Sequence, residues 1–303
     1  LRAGDHFITT SIEHSAVLRA AERMAERGVE VTFVAPLANG LIAPEAIRRA
    51  LRPETRLISV MLANNETGVV QPVEEIGRIA AEAGVLFHID GGQGAGKIVL
   101  DVRRFGCHLL SISAHKMHGP KGVGALYVRR GTPVEPLLVG GSHERRQRAG
   151  TENVPGIVGL GKAAELAMKS LADGTLERVA SLRDRLEAGI LALPGTGVNG
   201  ASAPRTSNTT NIRFDQLEGE ALVIALDLKG VAVSGGSACH SGSTEPSHVL
   251  MAMGLDKNAA RASLRFSLLK TATEVDIDYA LQVIPQAVGH LRALSPVAAG
   301  TAG

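Results

Sequence analysis

The amino-acid sequence predicts an α/β protein whose larger part is built on a mostly parallel sheet, and three observations carry that prediction. From residue 1 to about 130, short β-branched runs alternate with amphipathic helical patterns. The runs are apolar almost throughout, as strands covered on both faces are. Polar clusters fall where these runs end, the edge at which sheets of this kind collect their chemistry.

The elements follow in order. HFITT (6–10) is a strand, and a helix runs through Val17 to Arg27 before the strand VEVTFVA. A helix from Pro44 to Leu51 leads to the strand LISVML, and one from Val73 to Ala83 leads to VLFHID. LLSIS and GALYVRR complete the sheet. The polar clusters at strand ends are Asn64 with Asn65, Asp90 with Gln93, and His115 with Lys116. After the arginine-rich GGSHERRQRAGTEN, helical periodicity begins near Pro155 and continues to about Leu193. The Gly/Pro/Ser-rich LPGTGVNGASAPRTSN then breaks the pattern. Beyond it come the strand NTTNIRF, a helix from Glu218 to Lys229, the strand VAVS, a glycine-rich loop, a helix from Pro246 to Met253, the strand LRFSL and a helix from Glu274 to Ala293. The expected division is a large domain, 1–170, and a smaller C-terminal α/β domain, 171–303, with a frayed tail after Pro296.

Composition excludes several classes. A net charge of +2 over 303 residues argues against nucleic acid or an acidic membrane as the main partner. Two cysteines, Cys107 and Cys239, rule out a disulfide framework and suit a reducing compartment. There is no apolar run long enough to cross a bilayer and no signal-like start, so the expected location is cytoplasmic.

Three segments carry chemistry. In SISAHKMHGPKG, Lys116 is either a solvated loop cation or a Schiff-base lysine held at a strand end. In HIDGGQ, Asp90 is either a turn residue or the buried carboxylate that keeps a pyridine nitrogen protonated, with Gln93 in reach of the same ring. In VSGGSACHSGSTEPSHVL, Cys239 lies among glycines and serines that bury little, where a free thiol is a liability unless it is used. Cys107, inside the apolar RFGCHLL, reads as core. The histidines show no metal-ligand spacing, so no metal is expected.

IEHSAV, NNETGVVQPV, HIDGGQ, SISAHKMHGPKG, GTEN, SGGSACHSGSTEPSHVLMAMGL and LRFSL occur here in the same order as in the NifS/IscS-type cysteine desulfurases, and nearly the whole chain resembles that group. These are fold-type I pyridoxal-phosphate enzymes related to class V aminotransferases. The resemblance implies that Lys116 binds pyridoxal 5'-phosphate covalently, that His14 stacks on its ring and assists proton transfer, and that Asp90 pairs with the ring nitrogen. It implies that Gln93 and Asn65 contact the phenolic oxygen and the substrate side, that Ser113 and His115 bind the phosphate, and that Thr151 reaches the phosphate of a neighbouring subunit in a homodimer. Arg265 is then the clamp for the substrate carboxylate. The implied reaction converts L-cysteine to L-alanine, leaving the sulfur as a persulfide on Cys239. The persulfide then passes to an acceptor protein: an iron–sulfur scaffold, a tRNA-thiolation relay or a DNA phosphorothioation system.

The sequence departs from the group at Leu269-Lys270, where a glycine usually follows LRFSL, and at Arg146 and Gln147. The group's N-terminal helix and Gly/Thr phosphate loop have no counterpart ahead of His6, so the large domain is expected to be incomplete and to hold the cofactor weakly. The rival readings are another class V enzyme, an aminotransferase or selenocysteine lyase, which has no need of Cys239, and a truncated paralogue that only binds partners.

Overall fold

The computed structural model describes residues 1–235 and 245–294. The first half winds strand and helix alternately: β1 (His6–Thr10), α1 (Ser15–Ala25), β2 (Glu30–Val34), α2 (Pro44–Ala50), β3 (Thr55–Met61), α3 (Val73–Glu82), β4 (Leu86–Asp90), β5 (Leu109–Ser113) and β6 (Gly124–Val128). The sheet order is β2-β1-β3-β4-β5-β6, parallel except for β6. Ile8, Ile58, Val60, Phe87 and Ile89 are fully buried in it, which is why these strands read as unbroken apolar runs. Successive crossovers change direction between β1 and β3, the kind of point at which such sheets bind ligands. His14 follows β1 and Asn65 follows β3.

Two helices follow, α4 (Val154–Ser170) and α5 (Thr175–Leu191), and then β7 (Thr196–Val198), β8 (Thr209–Phe214), α6 (Gly219–Asp227), β9 (Ser234–Gly235), α7 (His248–Ala252), α8 (Lys257–Arg261), β10 (Ser263–Ser267) and α9 (Glu274–Leu294). The four strands form an antiparallel sheet, β7-β8-β10-β9. Leu186, Ile190, Phe214, Leu222, Phe266 and Ile284 pack its core between α5, α6 and α9.

The helical stretch expected from Pro155 to Leu193 is two helices. Gly174, with φ of +81°, starts α5 in a left-handed conformation that no helix interior tolerates. The strand expected at VAVS is reduced to Ser234–Gly235, because the Val231 N–H is taken by the Leu226 carbonyl at the end of α6. The helix expected from Pro246 is short, and its Val249, Leu250 and Met253 join the core of the large sheet. The chain thus returns to the first sheet before adding β10 to the second. Among the described residues no helix is long and apolar enough to cross a membrane.

Candidate active site

One cavity of about 210 Å³ lies between the two sheets, and it gathers five of the residues singled out from sequence: Asn65, Gln93, His115, Lys116 and Arg265. Asp90, Ser113 and His14 stand on the same C-terminal edge of the large sheet without lining that cavity. Thr151 is exposed on the segment leading into α4, away from it. Cys239 lies outside the described residues; the strand before its loop ends at Gly235, and α7 begins after it at His248.

Lys116 sits in a single 3-10 turn, Ala114–Met117, directly after β5. The turn cannot drift, because Ala114 and Met117 on either side of the lysine are buried, Met117 against Ala95, Ala163 and Ala167. Next in the chain, His118 takes a left-handed φ of +64° that ends the turn. Two buried anchors and a sharp stop leave the lysine partly covered and its amine open to the cavity.

Asp90 ends β4 opposite Met61 of β3 and Ser111 of β5. One carboxylate oxygen accepts the Gly92 N–H at 2.9 Å, which orients the group. The next segment, Gly91 to Ile98, is wound by Ala95 N–H to Gly91 O and Ile98 N–H to Gly94 O. It presses on the sheet so closely that a methyl group at Gly94 would lie 2.3 Å from the side chain of Leu62. This turn delivers Gln93 to the cavity.

Arg265 arrives from the other sheet. It donates to the Asn65 carbonyl at 2.6 Å and to Ser234 Oγ at 3.3 Å, while its Nε is buried without a partner. The side-chain Oδ1 of Asn65 and the hydroxyl of Ser207, both cavity-lining, are likewise buried and unpartnered. Unmet donors and acceptors of this kind cost roughly 1–3 kcal/mol each, and they mark where a polar ligand repays the folding cost. Asn64, by contrast, is spent on structure: it donates to Ile12 O and accepts from the N–H groups of Glu66 and Thr67.

Three ionisable groups, the buried Glu13 and Glu66 and the half-buried Lys97, escaped the sequence reading. Glu13 accepts from Thr10 Oγ1 at 2.7 Å and from the Met61 N–H at 2.9 Å, and burial pushes its carboxyl up to about 8. Glu66 accepts from Ser247 Oγ, and burial pushes it up to about 7 against the pull of Ser247 and Arg265. Lys97 lines the cavity and donates to Gln93 Oε1 at 2.8 Å; burial, then the charges of Lys116, Arg265 and Lys270, pull its ammonium down to about 8. Both acids lie inside segments already noted, IEHSAV and NNETG, but burial is not written in a single sequence. For Lys97 a signal existed: Gln93 and Lys97 are four residues apart in a turn-forming segment. His14 was expected to open a helix and does, its Nδ1 accepting the Ala16 N–H at 3.2 Å.

Comparison with known proteins gives the fold first. A solved NifS-like protein superposes with a TM-score of 0.88 at 37% identity, covering 95% of this chain and 76% of that one. A second solved structure, SspA in complex with cysteine, superposes with a TM-score of 0.75 at 36% identity over 87% of this chain and 73% of that one. The architecture is that of the fold-type I pyridoxal-phosphate enzymes.

The chain belongs to the class V aminotransferase family, whose model matches residues 1–280, and within it to the cysteine desulfurases. Cysteine desulfurase 2 of Trichormus variabilis is 50% identical over 292 residues, which cover 96% of this chain and 73% of that protein. The cofactor is pyridoxal 5'-phosphate. The residues present fit it: an amine open to the cavity, an oriented strand-end carboxylate nearby, and unpartnered amide, hydroxyl and guanidinium atoms in the wall.

Proposed function

We propose that this cavity converts L-cysteine to L-alanine and passes the sulfur to Cys239 as a persulfide, from which an acceptor protein of an iron–sulfur or thiolation system takes it. The observation that carries this reading is the meeting of Lys116 and the half-satisfied Arg265 in one cavity. That SspA was solved with cysteine supports the choice of substrate.

Bound pyridoxal phosphate supplies an electron sink for the substrate's α-carbon. The chain's own groups do the rest. Lys116 would anchor the cofactor and carry the α-proton. Asp90 would keep the ring nitrogen protonated, and Gln93 and Asn65 would address the ring's oxygen and the substrate. His14 would stack on the ring and take up the thiol proton, while Ser113 and His115 would hold the phosphate. Arg265 offers its fork to the substrate carboxylate. The Cys239 thiolate attacks the substrate sulfur: an S–S bond forms, the C–S bond breaks with its electron pair left on carbon, and protonation releases alanine.

The same reading includes a division at Ser170/Leu171 and a homodimer in which Thr151 serves the partner's site. Leu137 and Val139, 95% and 81% exposed, support the dimer together with Val154, Ile157 and Val158, which line one exposed stripe of α4. The reading also places the enzyme in a reducing, cytoplasmic compartment, where a nucleophilic thiol stays free. Changing Cys239→Ala tests the central claim. Alanine and persulfide production from cysteine should vanish while the cofactor stays bound, and normal turnover would overturn the assignment.

A further inference from the structure

Lys97 is half-buried, lines the cavity with Lys116, and takes no part in the chemistry above. The Gly91–Ile98 turn sets it on the same side as Gln93, and its Nζ meets Gln93 Oε1 at 2.8 Å. An ammonium has three donors and no acceptor, so only the carbonyl end of the carboxamide can face it. The NH2 end of Gln93 is therefore turned away from Lys97. That orientation follows from the chemistry of the pair and not from the labelling of two similar atoms.

We propose that Lys97 is a positioning residue: it locks the Gln93 carboxamide so that the NH2 group, and not the carbonyl, is presented to the anionic ring oxygen of the cofactor. The proposal rests on the placement of the cofactor given above. An unlocked carboxamide is nearly symmetric in shape and turns over at little cost, which would aim a carbonyl at an anion. Lys97 suits the task because its surroundings turn it towards Gln93. Lys116 after β5, Arg265 on β10 and Lys270 beyond it face it with like charge, and its ammonium donates to Gln93 Oε1. With its ammonium pulled to about 8 it is still mostly protonated at pH 7, so the donor is in place under working conditions.

The test reads the visible absorbance of the bound cofactor against pH in the loaded enzyme, for the parent, Lys97→Met, Gln93→Leu and the double variant. A donor to the ring oxygen steadies the charge that grows when the linkage to Lys116 loses its proton, so it lowers the midpoint. Lys97→Met and Gln93→Leu should each raise the midpoint by a similar amount, about one pH unit or a tenfold change in the proton equilibrium. In the double variant the two changes should not add. A Lys97→Met effect that persists in full on the Gln93→Leu background would show that the cation acts directly, and would overturn the proposal. An unchanged midpoint would overturn it equally. Lys97→Gln, which keeps the volume and a neutral donor, is expected to fall between parent and Lys97→Met, and it carries the same comparison if Met is not tolerated. Failure of the underlying site is separately visible: the absorbance band would then survive in Lys116→Ala.

Discussion

The strand-end wall of the cavity and the arginine-rich segment before α4 are both polar, yet they are held in opposite ways. In the wall, Asn64, Asn65, Glu66 and Thr67 are all buried, and Asn64, Ser247 and Arg265 bind the loop from three directions. In the segment, Glu144, Arg145 and Arg146 take left-handed φ angles of 47°, 57° and 67° in succession, all exposed and without a side-chain partner among the described residues. Such a conformation costs roughly 1–2 kcal/mol for each non-glycine residue. The contacts that hold the wall come from one chain. In return the segment's three left-handed residues show, among those described, only backbone hydrogen bonds, Arg146 N–H to Ser142 O and Gln147 N–H to Glu144 O, which suits a surface that finishes against a second copy. The chemistry should therefore fail through single wall residues, and the segment through loss of association.

Lys116→Ala strikes the wall hardest. It removes the cofactor's anchor and the proton carrier together, and turnover should fall by about 10³–10⁴-fold, since a positioned base alone contributes about 10²–10⁴. Borohydride reduction followed by peptide mass measurement should find no cofactor on the chain; label on Lys121 or Lys97 would move the anchor.

Arg265→Lys comes next. It keeps the charge but loses the fork that reaches the Asn65 carbonyl and Ser234 and, in the proposed function, the substrate carboxylate. Two charge-assisted bonds at about 1.5–3 kcal/mol each imply a rise in KM for cysteine of about 10²–10⁴-fold. A change in kcat alone would remove Arg265 from carboxylate binding.

For the segment, Val158→Asp should convert a dimer to a monomer in sedimentation, with turnover falling only as the cofactor is lost. Thr151→Ala should leave the dimer intact and weaken cofactor retention by about 10–10²-fold, the worth of one hydrogen bond to a charged group. Retention equal to the parent's in both variants would break the link between the segment and the cofactor.

Much of this contrast was readable before any coordinates. Apolar strands ending in Asn-Asn, Asp and His-Lys announce a covered sheet with its chemistry on one edge, and the cavity gathers Asn65, Gln93, His115, Lys116 and Arg265 as those motifs suggested. What escaped the sequence depends on burial or on single turns. Only the four-residue spacing to Gln93 hints at where Lys97 points, and nothing in IEHSAV says that Glu13 is sealed. Gly174 splitting one helical pattern into α4 and α5, and the short β7 and α8, lie below the length at which periodicity speaks. Cys239 falls outside the described residues, so its assignment rests on chemistry and resemblance.

Glu13 offers the smallest effect on turnover and the cleanest view of how tightly the wall is sealed. Its carboxyl is pushed from 4.5 up to about 8, first by burial, with the charge of Asp90 adding to it. Between those two values the folded chain holds a proton that the unfolded chain has lost. Stability from this group is thus fully present below about 4.5 and is lost as pH rises through about 8. In Glu13→Gln the amide is nearly the shape of the protonated acid, and its oxygen can still accept from Thr10 and the Met61 N–H. The two cofactor-free proteins should therefore unfold at similar denaturant concentrations at pH 4.5. Towards pH 8 the parent should lose stability relative to the variant by an amount on the order of a few kcal/mol. Glu66 is raised in the same direction but is present in both chains, so it cancels in the difference. Parallel stability profiles from pH 4.5 to 8 would mean that water reaches Glu13 and that this end of the wall is open.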